Sequence, residues 1–567
     1  MVFVMLLFSC RKLTENNPSN ATVEEAWTTP QGFITAVNAA YSEQRYWYGK
    51  EDGMFMGESG TDLWFNREKV NYANQLTRYQ GYTPASSGTT RNVWRQMWKG
   101  VNQTNAGINR IDGAGFPTEE EKNMRLAELR FLRAFYYWHI VETWGGVMLR
   151  TTETQGPDLT AQRSPVEDFY DLILEDLNFA KEHLPNSWPN NEYSRATKKS
   201  AMGLLARAYL SRAYYSTGAD ATTYFTQARD VAKEVIDRKV EFGVDLWENY
   251  ADIWLPSNNK RNKEALYTIS NSANNVGLNY DPNGNRLHLW YLMQYSNKPG
   301  LQLSFEYGND GQRRLMPTLS LLDYYNEELD SRYHGSFQEV WIANKPYTWT
   351  ANDVNTYKKD PAIVGQVMEV GVDTALYVTK QRITDEATRP YVVIDRDSTY
   401  FASTTRAING GNNFVALKKF HDPNRTAPNA QPGFNDIFVI RLAEMYLIAA
   451  EAEWKLGNNP AAADMINVLR TRAAIKAPVD RTAEMQVNAG DITRDFILEE
   501  RARELAGEHL RWFDLKRMLS GEEFASFIKE RNPDITAVQP YHRLRPVPQE
   551  EIDALLNGQE FGQNEGY

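Results

Sequence analysis

The sequence predicts a mainly α-helical protein, a solenoid of helical hairpins that carries one large loop-rich insertion. Three observations predict it. Between Trp94 and Arg238, and again between Ile437 and Arg517, apolar residues recur at helical spacing with capping residues at the ends of each run. Short connections join these runs, which argues antiparallel pairs. Between about Leu246 and Asp436 the texture changes to Asn, Gly, Pro and aromatics, with turn signals such as Asn274-Asn275, Asp281-Pro282-Asn283-Gly284-Asn285 and Asn409-Gly410-Gly411-Asn412. A chain of 567 residues has ample length for a large core.

The chain opens on a short apolar run, Val2 to Phe8, that ends in Leu7-Phe8-Ser9-Cys10 and resembles the cleavage and lipidation box of a bacterial lipoprotein. Residues 1–9 then read as a signal segment, Cys10 as the lipidation site and 10–20, with Arg11, Lys12, Glu15 and Pro18, as an exposed tether. Cys10 is the only cysteine, which leaves no intramolecular disulfide and no multi-cysteine metal site. No later stretch is long and apolar enough to span a bilayer, so acyl chains on Cys10 are the expected membrane anchor.

Residues 21–245 read as an N-terminal helical region. Trp94, Trp98, Val101, Asn105, Ile108 and Ile111 keep helical spacing, and Thr118 with Glu121 forms a capping box for a helix that stops at Trp144-Gly145-Gly146. Ser164, Pro165 and Glu167 predict the next helix start, with an end at Leu184-Pro185. Thr197 to Tyr215 and Tyr224 to Arg238 follow as a pair. After the insertion, 246–436, a C-terminal region covers 437–567. It begins with a helix predicted over Ile437 to Leu456, then one capped by Asn459-Pro460 and running to Ala474, then a closing helix from Phe496 to Arg517. In the closing helix Leu498, Ala502, Leu505, Ala506, His509 and Phe513 share one face, Gly507 costs roughly 1 kcal/mol of propensity, and Arg501, Arg511 and Asp514 fit a buried, mutually paired scaffold. Helix pairs with alternating large apolar and alanine positions resemble tetratricopeptide repeats.

The order Glu500-Arg501, Arg503-Glu504-Leu505, Glu508, Arg511-Trp512, Asp514-Leu515 and Arg517 resembles the C-terminal signature of the SusD/RagB family. Further matches are Asn17-Pro18, Val37-Asn38-Ala39-Ala40-Tyr41, Arg195-Ala196-Thr197-Lys198, Pro317 to Tyr325, Lys418-Lys419-Phe420, Arg441 to Leu447 and Pro546-Val547-Pro548. They span almost the whole chain. The resemblance implies a surface lipoprotein of the bacterial outer membrane that binds oligosaccharide and delivers it to a TonB-dependent, SusC-like outer-membrane transporter. Binding without catalysis suffices for that, and no cofactor is implied. Some relatives capture peptides, and an all-helical glycoside hydrolase or a pure scaffold protein are the other readings that stay open.

The formal net charge of −11 argues against nucleic acid, whose phosphates demand a basic surface. Gly57-Glu58-Ser59-Gly60-Thr61 nearly spells a nucleophile elbow, but Thr61 stands where the glycine belongs, and the stretch reads as a turn. The histidines are scattered without the close helical pair of a zinc site. Asp281, Asn283 and Asn285 have calcium-loop spacing, yet Arg286 and Leu292 occupy the glycine and bidentate positions, so no metal site is predicted. A glycosidase needs a carboxylate pair, and among 73 acidic residues nothing local singles one out.

A sugar ring presents a C–H face and an edge of hydroxyls, so a site wants flat aromatics beside Asp, Asn, Gln or Arg. Two stretches offer both: Asp62, Trp64, Asn66 and Arg67, and His288, Trp290, Tyr291, Gln294 and Tyr295. Trp290 is the first candidate because turn residues precede it and another aromatic adjoins it. Tyr291, Trp64, Asp62, His288 and Gln294 complete the set, with Trp341 and Trp349 behind them.

Overall fold

The computed structural model describes residues 27–66, 71–189, 192–272, 284–395 and 413–567, with side chains omitted at 71–73. Cys10 and the predicted signal and tether, Arg67, Asn274-Asn275, Asp281 to Asn283 and Asn409 to Asn412 lie outside the described residues.

The molecule is mainly helical. Its scaffold consists of α1 (Gly88–Arg110), α2 (Glu119–Trp144), α3 (Val166–His183), α4 (Lys198–Tyr214), α5 (Gly218–Asp237), α6 (Leu442–Lys455) and α7 (Asn459–Ala473). Each packs on the next, α5 on α6 included. The solenoid is therefore continuous across a long excursion of the chain. Local chemistry accounts for the ends. Thr118 accepts from the Glu121 amide, Thr197 forms a capping box with Ser200, and Gly145 closes α2 at φ 73°, a conformation costly for any residue with a Cβ. At α3 the reading is corrected by one residue, because Pro165 is the N-cap and Ser164 makes no cap bond there.

Two corrections concern the C-terminal region. The run predicted as helix from Ile437 begins as a strand. β1 (Ala265–Ile269) and β2 (Ile437–Arg441) pair antiparallel, Ile269 opposite Ile437 and Ala265 opposite Arg441, and form the neck through which the excursion leaves and rejoins the scaffold. The closing helix is two helices, α8 (Arg494–Leu505) and α9 (Arg511–Met518). Gly507 is the break, at φ 84°, and a Cβ there would stand 2.8 Å from Leu417 Cδ2. The break turns Glu508 inward onto Arg441, Nε–Oε2 2.7 Å and Nη2–Oε1 2.9 Å.

The excursion carries short strands and helices of no more than seven residues among its described residues. Val340–Ile342, Thr374–Val378 and Val392–Ile394 make one three-stranded sheet, Phe337–Gln338 pairs with Ala416–Leu417, and Trp64–Phe65 of the N-terminal region pairs with Met316–Pro317. A buried ion network ties it to the scaffold. Arg332 spans Asp330, Glu500 and Glu504. Arg441 spans Glu264, Glu504 and Glu508, and Arg472 bridges Glu264 and Glu504. The paired-scaffold reading holds with one exchange of partners: Arg501 pairs with Asp514 at 2.8 Å, but Arg511 pairs with Asp62 at 2.6 Å.

Candidate binding cavity

The two stretches singled out for ligand binding do meet, but as a dry seam. Trp64 is 0% exposed, and its ring meets Tyr291 edge-on with centroids 5.0 Å apart. The Trp64 indole donates to Glu58 Oε2 at 2.6 Å, and Glu58 also accepts from the Leu510 amide, next to the start of α9. Burial pushes the Glu58 carboxyl up to about 7. Asp62 holds Arg511 through both carboxylate oxygens, at 2.8 and 2.6 Å, and accepts from Tyr324 at 2.9 Å. Trp290 is 1% exposed, and His288 is buried, held well below the ordinary histidine pKa by burial and then by Arg425.

These positions are corrected from ligand platform to interior. A ring with no exposed face has nothing to stack on a sugar, and a carboxylate filled by a guanidinium and a phenol has no free acceptor for a hydroxyl. Gln294 is half-buried, and its main-chain carbonyl accepts from Asn413 Nδ2 at 2.7 Å. Trp349 is buried, its indole donating to the Pro390 carbonyl at 3.2 Å. Gly57 to Thr61 is also buried, so the elbow-like motif is an internal turn.

The open aromatic space lies one side chain further along. A cavity of about 260 Å³ is walled by Leu292, Met293 and Tyr295, by Trp254, Leu255 and Pro256, and by Tyr307 and Trp341, with Glu306, Gln338, Lys418 and His421 supplying polar atoms. Trp254, Leu255 and Pro256 come from just before β1, and the others lie in the loop-rich excursion beyond it. Tyr295 and Tyr307 meet edge to face at 5.8 Å, and each hydroxyl is fixed on backbone: Tyr295 donates to the Gly308 carbonyl at 2.6 Å, Tyr307 to that of Ile342 at 3.3 Å. Trp341 comes from the three-stranded sheet, opposite Leu376. The walls are thus held by main-chain pairing, which fixes the rings before any ligand arrives.

The polar side chains of the lining are fixed in different ways. Gln338 donates through Nε2 to the Val340 carbonyl. His421 contacts the Phe305 carbonyl through Nε2 at 2.9 Å, and burial lowers its pKa, which favours the neutral ring. Glu306 is the one carboxylate among the described lining residues, whereas glycoside hydrolysis works with two. No group of three or more His, Cys, Asp or Glu placed to hold a metal occurs among the described residues. Of the sequence-predicted stretch 288–295, Leu292, Met293 and Tyr295 line this cavity, together with Trp341, which stood behind the first candidates. Sequence reasoning passed over Trp254, although Leu255-Pro256 and Asn258-Asn259 beside it are the same turn signal that favoured Trp290.

Two family models cover most of the chain: "SusD family" matches residues 268–567, and "Starch-binding associating with outer membrane" matches 21–210. Among curated relatives, SusD-like protein P2 of Formosa agariphila is 25% identical over 100% of this chain and 98% of its own. Starch-binding protein SusD of Bacteroides thetaiotaomicron is 24% identical over 91% of this chain and 87% of its own. Among solved structures, a laminarin-binding SusD-like protein superposes with a TM-score of 0.68 at 19% identity, covering 95% of this chain and 100% of that one, which is a likeness of fold.

Proposed function

This chain belongs to the SusD family, and we propose that it captures oligosaccharides at the bacterial cell surface, anchored by acyl chains on Cys10, and hands them to a TonB-dependent, SusC-like outer-membrane transporter. The observation that carries the reading is the cavity of about 260 Å³ walled by aromatic rings, of which Trp254 and Tyr307 keep an exposed part. Small-ligand pockets run to roughly 300–1,000 Å³, so a cavity at the lower edge of that range suits one ring or a chain end, the remainder lying over the rim. The half-buried rings, Trp254 and Tyr307, can stack on C–H faces, while Gln338, Lys418, Glu306 and His421 meet hydroxyl edges. The names of relatives, starch-binding in one and laminarin-binding in another, support a glycan as the ligand class.

Handing on requires release, so affinity is expected between micromolar and millimolar, the latter about −4 kcal/mol. The test is a titration of the purified protein against a panel of glycans and peptides, with the ligand recovered and sized afterwards. Binding of intact glycan supports capture. Shortened glycan would mean a hydrolase, and binding confined to peptides would move the protein to the peptide-capturing relatives.

A further inference from the structure

We infer that the cavity prefers glycans bearing an anionic group, a carboxylate or a sulfate ester, and that Lys418 Nζ is the group that recognises it. The inference rests on the capture reading above and narrows its substrate class.

Lys418 and Lys419 are neighbours with opposite fates. The strand Ala416–Leu417 ends just before them, pinned across to Phe337–Gln338, and the Lys418 amide donates to the Ser336 carbonyl at 2.7 Å. The chain turns at once, the His421 amide donating to the Lys418 carbonyl at 3.0 Å. Lys419 runs inward, where the carbonyls of Glu504 and Ala506 and the Glu508 carboxylate each accept from it at 3.1 Å. Lys418 lines the cavity instead. It is half-buried, and among the described residues no carboxylate lies within 4 Å of its ammonium and no acceptor within hydrogen-bond reach.

A partly desolvated ammonium that has only solvent to donate to is less well compensated than one that meets a carboxylate. An acceptor brought by the ligand compensates it. Burial is the cause that lowers the Lys418 pKa, with no neighbouring carboxylate opposing it. Glu306 does not serve that role. It stands exposed on the rim and forms no ion pair with Lys418 among the described residues. On the other strand of the pair, Gln338 is oriented by one Nε2 N–H on the Val340 carbonyl, which leaves its Oε1 as acceptor for a sugar hydroxyl. The cavity therefore offers rings for a sugar face, an amide oxygen for its edge and one uncompensated positive charge.

The test pairs each ligand with its own neutralised form: an oligogalacturonate against the carboxyl-reduced oligosaccharide, and a sulfated galactan oligosaccharide against its desulfated form. Each is titrated into the wild type, Lys418→Met and Lys418→Arg. Wild type is expected to bind at least one charged member roughly ten-fold or more tighter than its partner, the scale of a charge-assisted hydrogen bond. Lys418→Met should abolish that preference, lowering the charged member's affinity by about ten-fold more than the neutral member's, and Lys418→Arg should restore it. Whichever pair shows the preference identifies the anion. Equal binding of charged and neutral members by wild type overturns this inference and leaves glycan capture standing. A preference that survives Lys418→Met overturns the assignment to Lys418. Binding of no glycan, charged or neutral, overturns both.

Discussion

Arg332→Met is the perturbation that most directly probes how the excursion is held. The Arg332 guanidinium is 0% exposed and serves three carboxylates: Asp330 at 2.7 Å, Glu500 at 2.8 Å and Glu504 at 3.2 Å. Removing it affects them unequally. Glu500 keeps Arg470 and Arg503, each at 2.9 Å, and Glu504 keeps Arg472 at 2.6 Å and Arg441 at 3.3 Å. Asp330 has no other ion-pair partner among the described residues and becomes an uncompensated buried charge. Breaking a buried pair in this way costs about 3–5 kcal/mol. At about 2.1 cal/mol/K of unfolding entropy per residue, the 567 residues give about 1.2 kcal/mol/K, so Tm should fall by about 3–4 °C. Asp330→Asn added to Arg332→Met should recover part of the loss, because the orphaned charge goes with it. Calorimetry and urea unfolding of the two variants measure this. A single variant within about 1 kcal/mol of wild type, or a double variant worse than the single, would refute the reasoning.

Three further outcomes follow from the same contacts. Trp290→Ala removes an interior ring and should cost about 3–5 kcal/mol in urea unfolding; a stable variant with weakened glycan binding would restore Trp290 to the ligand site. Gly507→Ala places a Cβ at φ 84° and 2.8 Å from Leu417 Cδ2, and should destabilise by more than about 1 kcal/mol, read as a lower urea midpoint. Burial holds His509 neutral, with its pKa down at about 3 against about 6.5 when unfolded. Its contribution to stability is present above pH 6.5 and is lost as the unfolded chain takes up the proton, by about 2 kcal/mol between pH 7.5 and 5. His509→Asn, which tolerates the φ of 66° there, lacks that loss. Its deficit relative to wild type should therefore narrow by about 2 kcal/mol over that pH range, and an unchanged gap would contradict the assignment.

The scaffold was readable because its signals are local. Thr118, Thr197 and Gly145 end helices through their own side chains or lack of one, so a single sequence carries the message. The two misread elements depend on partners far along the chain. Ile437 to Arg441 is apolar enough for a helix or a strand, and pairing with Ala265–Ile269 decides it, although Ile437, Val439 and Ile440 were a β-branched hint. Gly507 sits in an unbroken helical pattern, and only the crowding by Leu417 and the reach of Glu508 to Arg441 show why the chain turns. The same limit governs the site. Composition placed aromatics and turns together in 288–295, but which faces of Trp290, Tyr291, Met293 and Tyr295 point inward is set by the seam with Trp64, which no local pattern encodes.

The account stands or falls on whether the cavity of the excursion is where glycan is held. The measurement is calorimetric titration of a glycan that the wild type binds into Trp341→Ala and Tyr307→Ala, each checked for native circular dichroism and Tm. Tyr307 is the half-buried of the two rings and carries the test if Trp341→Ala is poorly folded. Loss of about ten-fold in affinity or more, about 1.4 kcal/mol, in a folded variant is the result predicted. Wild-type affinity in both folded variants would contradict it and send the search to another surface of the molecule.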